Sequence, residues 1–587
     1  MAEGRASVGP DVSTHGRPAV LGAGGAEMGE PMRGLGVSPG VVLAPVAWLG
    51  EPVRPPADEP PARDVEVALQ EVRAALDAVA SDLAARAGAA SGAAKDVLSA
   101  TAAIARDPAL VDSVRTRLEG GAGPGRALDE AFGGFASLLA AAGGYLAERV
   151  SDLYDVRDRA LAVLLGVPMP GVPETDGPVV LVASDLSPAD TAGLDPTRIV
   201  GLVTSGGGPT SHTAILAKSL GIPAVVACPD AWRLNEGEIV LLDGGTGLVT
   251  RQPDKAAATR AAQRASIWRG LVTTTSGPGR SADGHPVRLL VNLATMTDIE
   301  HAVALDCEGV GLFRTEFLFL DRPDAPTEEE QQRTYTRLLR AFTDRSVTVR
   351  TLDAGADKPL PFLAHGDEPN PALGMRGLRL ARRHPDLLDT QLAALARAAT
   401  TGPTRLRVMA PMVATAEEAR DFIDRARAHG LDEAGVMVEI PAAALRAEQI
   451  CAEVDFLSIG TNDLSQYTFA ADRMTGELAG LLDPWQPALL DLIAAVGLAG
   501  GRSGTPVGVC GEAAGDPLLA CALVGLGVTS LSMAPGVLPI VRAALSRHGL
   551  ATCQAMAIAA RAASTPTAAR AAALELAHPD LVAALQA

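Results

Sequence analysis

The stretch GVMVEIPAAALRAEQICAEVDFLSIGTND, residues 435–463, contains two short apolar segments separated by a helical one. Each apolar segment runs into polar residues where it ends, the first into Glu439 and the second into Asn462 and Asp463. A strand, a helix and a second strand in this order predict a βαβ unit with parallel strands. The polar residues then lie at the carboxyl ends of neighbouring strands, where parallel sheets bind their ligands.

The same alternation extends from residue 287 towards the end of the chain. Eight apolar strands are predicted, at residues 287–293, 309–313, 346–352, 406–412, 435–439, 455–460, 506–511 and 529–533. Eight strands that alternate with helices predict a (β/α)8 barrel, and a doubly wound open sheet is the alternative. We assign the barrel domain to residues 281–587 and a connecting helix to residues 253–280.

The preceding residues predict two further domains of different class. Short strands and helices indicate a small α/β domain over residues 33–50 and 167–252, with the strand at 41–49 pairing into its sheet. Between these parts, residues 60–166 have helical apolar spacing and predict an inserted all-helical bundle. Residues 1–32 are rich in glycine and lack apolar periodicity, which predicts a disordered extension, so translation could start at Met1, Met28 or Met32.

The composition excludes some classes of partner. The net charge is −19 and no basic stripe occurs, which argues against binding to nucleic acid or to an anionic membrane. The six cysteines are scattered without a CxxC pair, which favours a cytoplasmic protein over a disulfide-bonded or zinc-binding one. The uncharged stretch 517–541 is interrupted by glycine and proline, so we predict no membrane insertion.

Charged residues gather at the predicted carboxyl ends of the barrel strands. Arginines that converge there suit a small anion, because guanidinium groups bind phosphate and carboxylate oxygens in pairs. The arginines in question are Arg314, Arg350, Arg376 and Arg473. The carboxylates of Glu439 and Asp463 suit Mg²⁺, which takes one or two protein carboxylates and leaves the remaining positions to water and substrate. A solvated charge or an ion pair is the plainer interpretation of any one residue, but not of the whole set.

Two further residues are candidates for chemistry. Cys510 ends the seventh strand, where it either fills the core or donates a proton. His212 follows three glycines and begins a predicted helix, HTAILAKSLG, for which Thr210 or Ser211 is a natural N-cap. A helix N-terminus stabilises phosphate and favours a neutral imidazole, so His212 is either a nucleophile towards phosphorus or a surface histidine near the cap.

Several long motifs, in order, resemble one family. They are GGGPTSHTAILAKSLGIPAVV (206–226), GVGLFRTEFLFLDR (309–322), VRTLDAGADKPLP (349–361), NPALGMRGLR (370–379), DFLSIGTNDLSQYTFAADR (455–473) and GVCGEAAGDP (508–517). The chain is similar over about residues 33–575 to Enzyme I of the bacterial phosphotransferase system, the phosphoenolpyruvate–protein phosphotransferase. The resemblance implies that the phosphoryl group of phosphoenolpyruvate passes to a histidine and then to the carrier protein HPr, and that pyruvate is released.

The resemblance also implies a role for each candidate residue. His212 would be phosphorylated, Cys510 would protonate the enolpyruvate carbon, and Glu439 and Asp463 would hold Mg²⁺. The predicted phosphoenolpyruvate contacts are Arg314, Arg350, Arg376, Asn462, Asp463 and Arg473. The helical bundle would dock HPr, and the barrel would form a homodimer.

The chain departs from the family pattern at three places. Pro209 stands where many members have an arginine, Thr101 lies where many have a histidine, and NPALGMR replaces NPFLGWR. None of these removes a predicted catalytic group. A pyruvate phosphate dikinase or phosphoenolpyruvate synthase would need a nucleotide-binding domain, for which no segment has room. A catalytically idle docking protein would be expected to lack His212 or the barrel arginines, and all of these are present.

Overall fold

The computed structural model describes most of the chain, with short gaps. The described residues are 31–50, 53–56, 58–89, 98–99, 101–142, 150–167, 171–173, 175, 177–184, 186, 194–207, 212–273, 275–294, 296–319, 322–355, 360–363, 368–473 and 475–585. Residues 1–30 of the predicted extension and the N-cap candidates Thr210 and Ser211 lie outside these ranges, as does Pro209. Met32 already belongs to a strand, where it pairs with Val249.

The inserted block forms an all-helical bundle, as predicted. Its helices are α1 (Val65–Ala89), α2 (Pro108–Glu119), α3 (Pro124–Ala142) and α4 (Val150–Leu165). The apolar residues of α1 at helical spacing, from Leu69 to Leu83, are buried against the other helices. Glu59 accepts hydrogen bonds from the backbone N–H groups of Gly125 and Arg126, so the proline-rich segment before the bundle also caps the start of α3.

The small α/β domain is built on an eight-stranded sheet in the order β1-β8-β7-β3-β4-β5-β6-β2. Its strands are β1 (Met32–Arg33), β2 (Leu35–Ser38), β3 (Val41–Trp48), β4 (Val179–Ala183), β5 (Ile199–Thr204), β6 (Ala224–Val226), β7 (Ile239–Asp243) and β8 (Leu248–Arg251). Strand β3 runs parallel to β4 and antiparallel to β7, so the strand before the helical insertion does pair into this sheet.

Helix α5 (His212–Leu220) of this domain begins at the candidate histidine. It ends at Gly221, whose φ of 67° is the left-handed conformation that closes many helices. The N–H of Ile222 donates to the carbonyl of Ala217 at 2.9 Å, which completes the closing turn. The predicted end of the helix at Gly221 is therefore observed.

The C-terminal part is a closed barrel of eight parallel strands. They are β9 (Arg288–Leu293), β10 (Gly309–Phe313), β11 (Ser346–Arg350), β12 (Arg405–Ala410), β13 (Ala434–Val438), β14 (Leu457–Ile459), β15 (Val507–Val509) and β16 (Ser530–Met533). Strand β16 pairs with β9 in a register that aligns Ser530 with Arg288. This pairing closes the sheet, so the predicted barrel is confirmed and the open-sheet alternative is wrong.

Helices surround the barrel and join it to the α/β domain. After α6 (Lys255–Thr273) they are α7 (Met296–Val303), α8 (Glu328–Ala341), α9 (Leu378–Arg383), α10 (Pro385–Ala399), α11 (Ala416–Ala428), α12 (Pro441–Leu445), α13 (Ala447–Cys451), α14 (Thr461–Phe469), α15 (Pro487–Ser503), α16 (Pro517–Gly525), α17 (Leu538–Leu545), α18 (Leu550–Arg561), α19 (Pro566–Glu575) and α20 (Pro579–Leu585). Helix α6 contacts β3 of the α/β domain and also the barrel helices α17 and α20. Its Arg264 pairs with Asp243 at 2.9 Å, so this connecting helix touches both domains.

One helical stretch, Gly480–Ser503, is long and apolar enough to cross a membrane by length and composition, in a search confined to the described ranges. Its residues Leu489, Leu490 and Ile493 are buried in the barrel's own hydrophobic core. The uncharged stretch 517–541 instead forms helix α16, strand β16 and the start of α17.

Candidate functional site

Two buried arginines and one aspartate form the centre of the barrel mouth. Asp353, just past the end of β11, accepts hydrogen bonds from Nε and Nη2 of Arg376, each 3.0 Å long. The same carboxylate lies 3.2 Å from Nη1 of Arg350, and Nη2 of Arg350 donates to Glu316 at 2.5 Å. Burial alone would lower the pKa of Arg350, but the surrounding carboxylates outweigh it and raise that pKa. The guanidinium group of Arg350 therefore stays charged.

Glu439 is a carboxylate of the mouth that has no exposed surface. Its Oε1 accepts a 2.6 Å hydrogen bond from the N–H of Met412, whose backbone has a φ of 59°. Its Oε2 is buried and has no hydrogen-bond partner among the described residues. Burial first, and then the nearby carboxylates of Asp463 and Asp353, raise the pKa of Glu439 to about 7. A cation beside Oε2 would relieve this repulsion.

Asp463 lies at the start of α14, directly after β14, and binds two arginines. Its Oδ1 accepts from Nη1 of Arg376 at 3.0 Å, and its Oδ2 lies 3.4 Å from Nη1 of Arg473. Asn462 lies beside it, and its Oδ1 accepts a 3.1 Å hydrogen bond from the N–H of Glu512. Asp463 therefore joins the arginines, while Asn462 joins the loop after β14 to the loop after β15.

Cys510 lies immediately after β15 and is 3% exposed. It packs inside the barrel with Leu312, Met409, Met437 and Phe456. Its thiol donates weakly to the carbonyl of Ile459 at 3.6 Å. Burial is the main cause that raises the pKa of this thiol to about 11, and the charge of Glu439 adds to it. The thiol is thus protonated at neutral pH, which is the state that a proton donor needs.

The structure brings most of the predicted site residues together. Arg350, Arg376, Glu439, Asp463 and Arg473 are linked by hydrogen bonds or by charge within one mouth. Arg314 follows β10 on the same rim and is exposed, so its guanidinium is accessible from solvent. His212 belongs to the other domain, where only its backbone place at the start of α5 is described.

Comparisons with known proteins agree with this architecture. Three models of PEP-utilising enzymes match the chain: the N-terminal domain over residues 33–149, the mobile domain over 175–247 and the PEP-binding domain over 271–549. The chain is 54% identical, over 92% of its length and 98% of the relative's, to the phosphoenolpyruvate-protein phosphotransferase of Streptomyces coelicolor. The chain belongs to the phosphoenolpyruvate-protein phosphotransferase family. The resemblance inferred from the motifs is therefore confirmed.

A second member of the phosphoenolpyruvate-protein phosphotransferase family, from Haloferax volcanii, is 42% identical over 75% of this chain and 80% of its own. Among solved structures, an NMR solution structure of Enzyme I is 28% identical and covers 40% of this chain and 99% of its own, with a TM-score of 0.36. The family assignment rests on the sequence identities.

Two carboxylates that bind the arginines of the site have no role predicted from the sequence. Glu316 and Asp353 hold the guanidinium groups of Arg350 and Arg376. Both acids follow strand ends and lie near predicted substrate-binding arginines in the sequence, and this position is the sequence signal that indicates them. Gln391 of α10 also contributes, because it donates to Thr315, whose hydroxyl in turn donates to the carbonyl of Arg350.

No group of three or more histidine, cysteine or acidic side chains arranged to hold a metal ion occurs in the described part of the chain. The two carboxylates of Glu439 and Asp463 are a smaller set, and they suit a cation that takes its other ligands from water and substrate oxygens. The six cysteines are all free and buried.

Proposed function

We propose that this chain takes the phosphoryl group of phosphoenolpyruvate onto His212, releases pyruvate, and passes the phosphoryl group on to HPr. The observation that carries the proposal is the cluster at the barrel mouth, where Arg350 and Arg376 pair with Asp353 and Asp463. In the same cluster, a carboxylate oxygen of Glu439 has no hydrogen-bond partner among the described residues. Family membership at 54% identity supports the same reaction.

The arginines divide into two groups by their surroundings. Arg376 is 1% exposed and donates to Asp353, Asp463 and Tyr467, so its main task is to hold these side chains in place. Arg473 is 23% exposed at its side chain, and Arg314 is exposed. We propose that Arg314 and Arg473 make the first contacts with the carboxylate and phosphate of the substrate.

We propose that Glu439 and Asp463 hold Mg²⁺. The unpartnered Oε2 of Glu439 and the repulsion that raises its pKa fit a cation at this place. When bound, the ion would neutralise phosphate charge and lower the barrier to phosphoryl transfer. Gly460 leaves room for it, because a Cβ at this position would lie 2.8 Å from Oε2 of Glu439.

Every bond and proton in the proposed transfer is accounted for by phosphoenolpyruvate, side chains of this chain and solvent. A nitrogen of His212 forms a bond to phosphorus while the bond between phosphorus and the enol oxygen breaks. The methylene carbon of the enolate then takes the proton of the Cys510 thiol, which gives pyruvate, and solvent restores the thiol. Because burial raises the pKa of this thiol, it stays protonated until the enolate forms. The histidine of HPr then receives the phosphoryl group from His212.

We propose that the helical bundle docks HPr and that the chain acts in the cytoplasm as a homodimer through its barrel. Exposed apolar side chains support an interface on the barrel, since Leu445 is 70% exposed and Leu498 is 56% exposed. They lie on α12 and α15, which contact each other. On the bundle, Leu138 of α3 is 68% exposed and offers an apolar contact for a partner.

The proposal is tested by incubating the protein with phosphorus-labelled phosphoenolpyruvate and Mg²⁺. Acid-labile label on the wild-type chain, its absence from His212→Ala, and its transfer to added HPr are the expected results. Label on His212→Ala, or failure of the labelled wild type to transfer to HPr, would contradict it.

Sedimentation of the wild type and of Leu498→Asp tests the proposed dimer. The charged variant is expected to weaken dimerisation.

A further inference from the structure

The end of α5, the helix that begins at His212, contacts the rim of the barrel. Nζ of Lys218, in the last turn of α5, lies 2.5 Å from Oε2 of Glu512, which follows Cys510 by two residues. The side chain of Lys218 is 19% exposed and that of Glu512 is 44% exposed. His212 lies six residues before Lys218, so the start of the helix is about 9 Å from this ion pair along the helix axis.

A second contact between the same two segments involves backbone alone. Gly536 lies in the 3-10 turn Pro535–Val537 at the end of β16. A Cβ on Gly536 would lie 2.8 Å from the N of Gly221 and 2.9 Å from the carbonyl oxygen of Lys218. Side-chain carbons do not approach backbone atoms so closely, so any larger residue at 536 would push the end of α5 away from the barrel.

Glu512 is also tied to the substrate-binding loops. Its N–H donates to Oδ1 of Asn462, the residue before Asp463. The loops after β14 and β15 are pressed together here, because a Cβ on Gly511 would overlap the hydroxyl of Thr461 at 1.9 Å. The group that Lys218 meets is therefore held by the loop that carries Asp463 and by the loop that carries Cys510.

We propose that Lys218, Glu512 and Gly536 form a docking contact that positions the His212 helix at the barrel mouth for transfer from phosphoenolpyruvate. The inference rests on the proposed function and deepens it by naming positioning residues for its first step. We expect the contact to play no part in exchange between His212 and HPr, because Glu512 and Gly536 belong to the barrel and the proposed HPr-docking surface lies on the helical bundle. The two half-reactions therefore separate a docking role from a role in the stability of the helix.

The test measures each half-reaction in a single turnover on the full chain. The first is labelling of His212 by phosphoenolpyruvate and Mg²⁺, and the second is labelling of His212 by phosphorylated HPr. The variants are Lys218→Glu, Glu512→Lys, Gly536→Val, and a double variant that combines Lys218→Glu with Glu512→Lys, called the double exchange. Arg233→Ala is the control, because Arg233 forms an exposed pair with Asp230 in the same domain.

An exposed ion pair changes an equilibrium by about two- to fivefold, and reversing one charge adds repulsion to that loss. We expect Glu512→Lys to slow labelling by phosphoenolpyruvate at least fivefold, with KM for phosphoenolpyruvate and labelling by phosphorylated HPr each within twofold of wild type. The double exchange restores the first rate to within twofold. Gly536→Val slows it at least tenfold, and the charge exchange does not rescue this variant.

Two results would overturn the docking contact: equal losses in both half-reactions, or a double exchange that is no faster than Glu512→Lys. The proposed function fails differently, since a wild type that takes label from neither donor contradicts the reaction itself. Thermal unfolding of each variant identifies a loss that comes from misfolding. If one single variant does not fold, the labelling rate of the double exchange can still be compared with that of the wild type and of the other single variant.

Discussion

Asp353 receives both parallel hydrogen bonds of the Arg376 guanidinium, each 3.0 Å long, and neither side chain is more than 1% exposed. This pair lies at the centre of the barrel mouth, where Asp353 also contacts Arg350 and Arg376 also contacts Asp463. A planar guanidinium held at both edges cannot rotate, so it sets the direction of every acid that it contacts. The order of the site therefore depends on a fully buried ion pair.

Asp353→Asn should destabilise the protein by about 3 to 5 kcal/mol, because it leaves two buried guanidinium groups with too little compensating charge. Denaturant unfolding measures the change. Asp491→Asn is the matched control, since Asp491 pairs with Arg561 at 2.6 Å but both side chains are well exposed. This control should cost less than about 1 kcal/mol. Equal effects of the two substitutions would contradict the structural role of Asp353.

Glu439→Gln should raise the stability of the metal-free protein and lower its activity. The substitution removes a buried charge whose pKa is raised to about 7, so at pH 8 the metal-free protein should gain stability, on the order of 1 to 3 kcal/mol. The raised pKa means that the folded state favours the neutral carboxyl, and the carboxylate weakens folding as the pH rises from about 4.5 through 7. Labelling by phosphoenolpyruvate should fall by more than the roughly 10- to 100-fold that follows loss of an outer-shell contact, because the proposed metal ligand is lost. A stable variant with full activity would exclude Glu439 as a metal ligand.

Gly460→Ala should weaken divalent-metal binding without unfolding the barrel. The new Cβ would lie 2.8 Å from Oε2 of Glu439 and 2.9 Å from Cε of Met437, so the carboxylate must move. Binding of Mn²⁺, followed by electron paramagnetic resonance, should weaken at least about tenfold. Gly501→Ala is the control, because its Cβ would meet open space in helix α15 and a helical alanine is favoured by about 0.5 to 1 kcal/mol. Unchanged Mn²⁺ affinity in Gly460→Ala would place the metal elsewhere.

The Cys510 thiol should react slowly with iodoacetamide until the solution is strongly alkaline. Alkylation requires the thiolate, and burial raises the pKa of this thiol to about 11, whereas an ordinary cysteine titrates near about 8.5. Peptide mapping across a pH series should show the rate at Cys510 still rising above pH 9. The same cysteine in guanidinium-unfolded protein should titrate in the ordinary range. A rate in the folded protein that levels off near pH 8.5 would contradict a protonated donor.

Local sequence was enough to predict the barrel and most of its mouth. Eight apolar segments separated by helical ones define the strands, and their polar ends select Glu439, Asp463 and the arginines, because parallel strands all place those ends on one side. The helix that starts at His212 is likewise encoded locally, and Gly221 at its end supplies the left-handed turn. The roles of His212, Cys510 and the substrate-contacting residues remain predictions.

The tertiary structure decided which partner each charged group has. Asp353 is 23 residues from Arg376 along the chain and Arg376 is 87 residues from Asp463, so no local pattern indicates these pairs. The contact of Lys218 with Glu512 spans 294 residues and joins two domains. Periodicity and turn residues determine elements because they act within a few residues of the chain. Burial, ion pairing and the pKa of Glu439 depend on what closure of the barrel brings together, and they exist only in the folded chain.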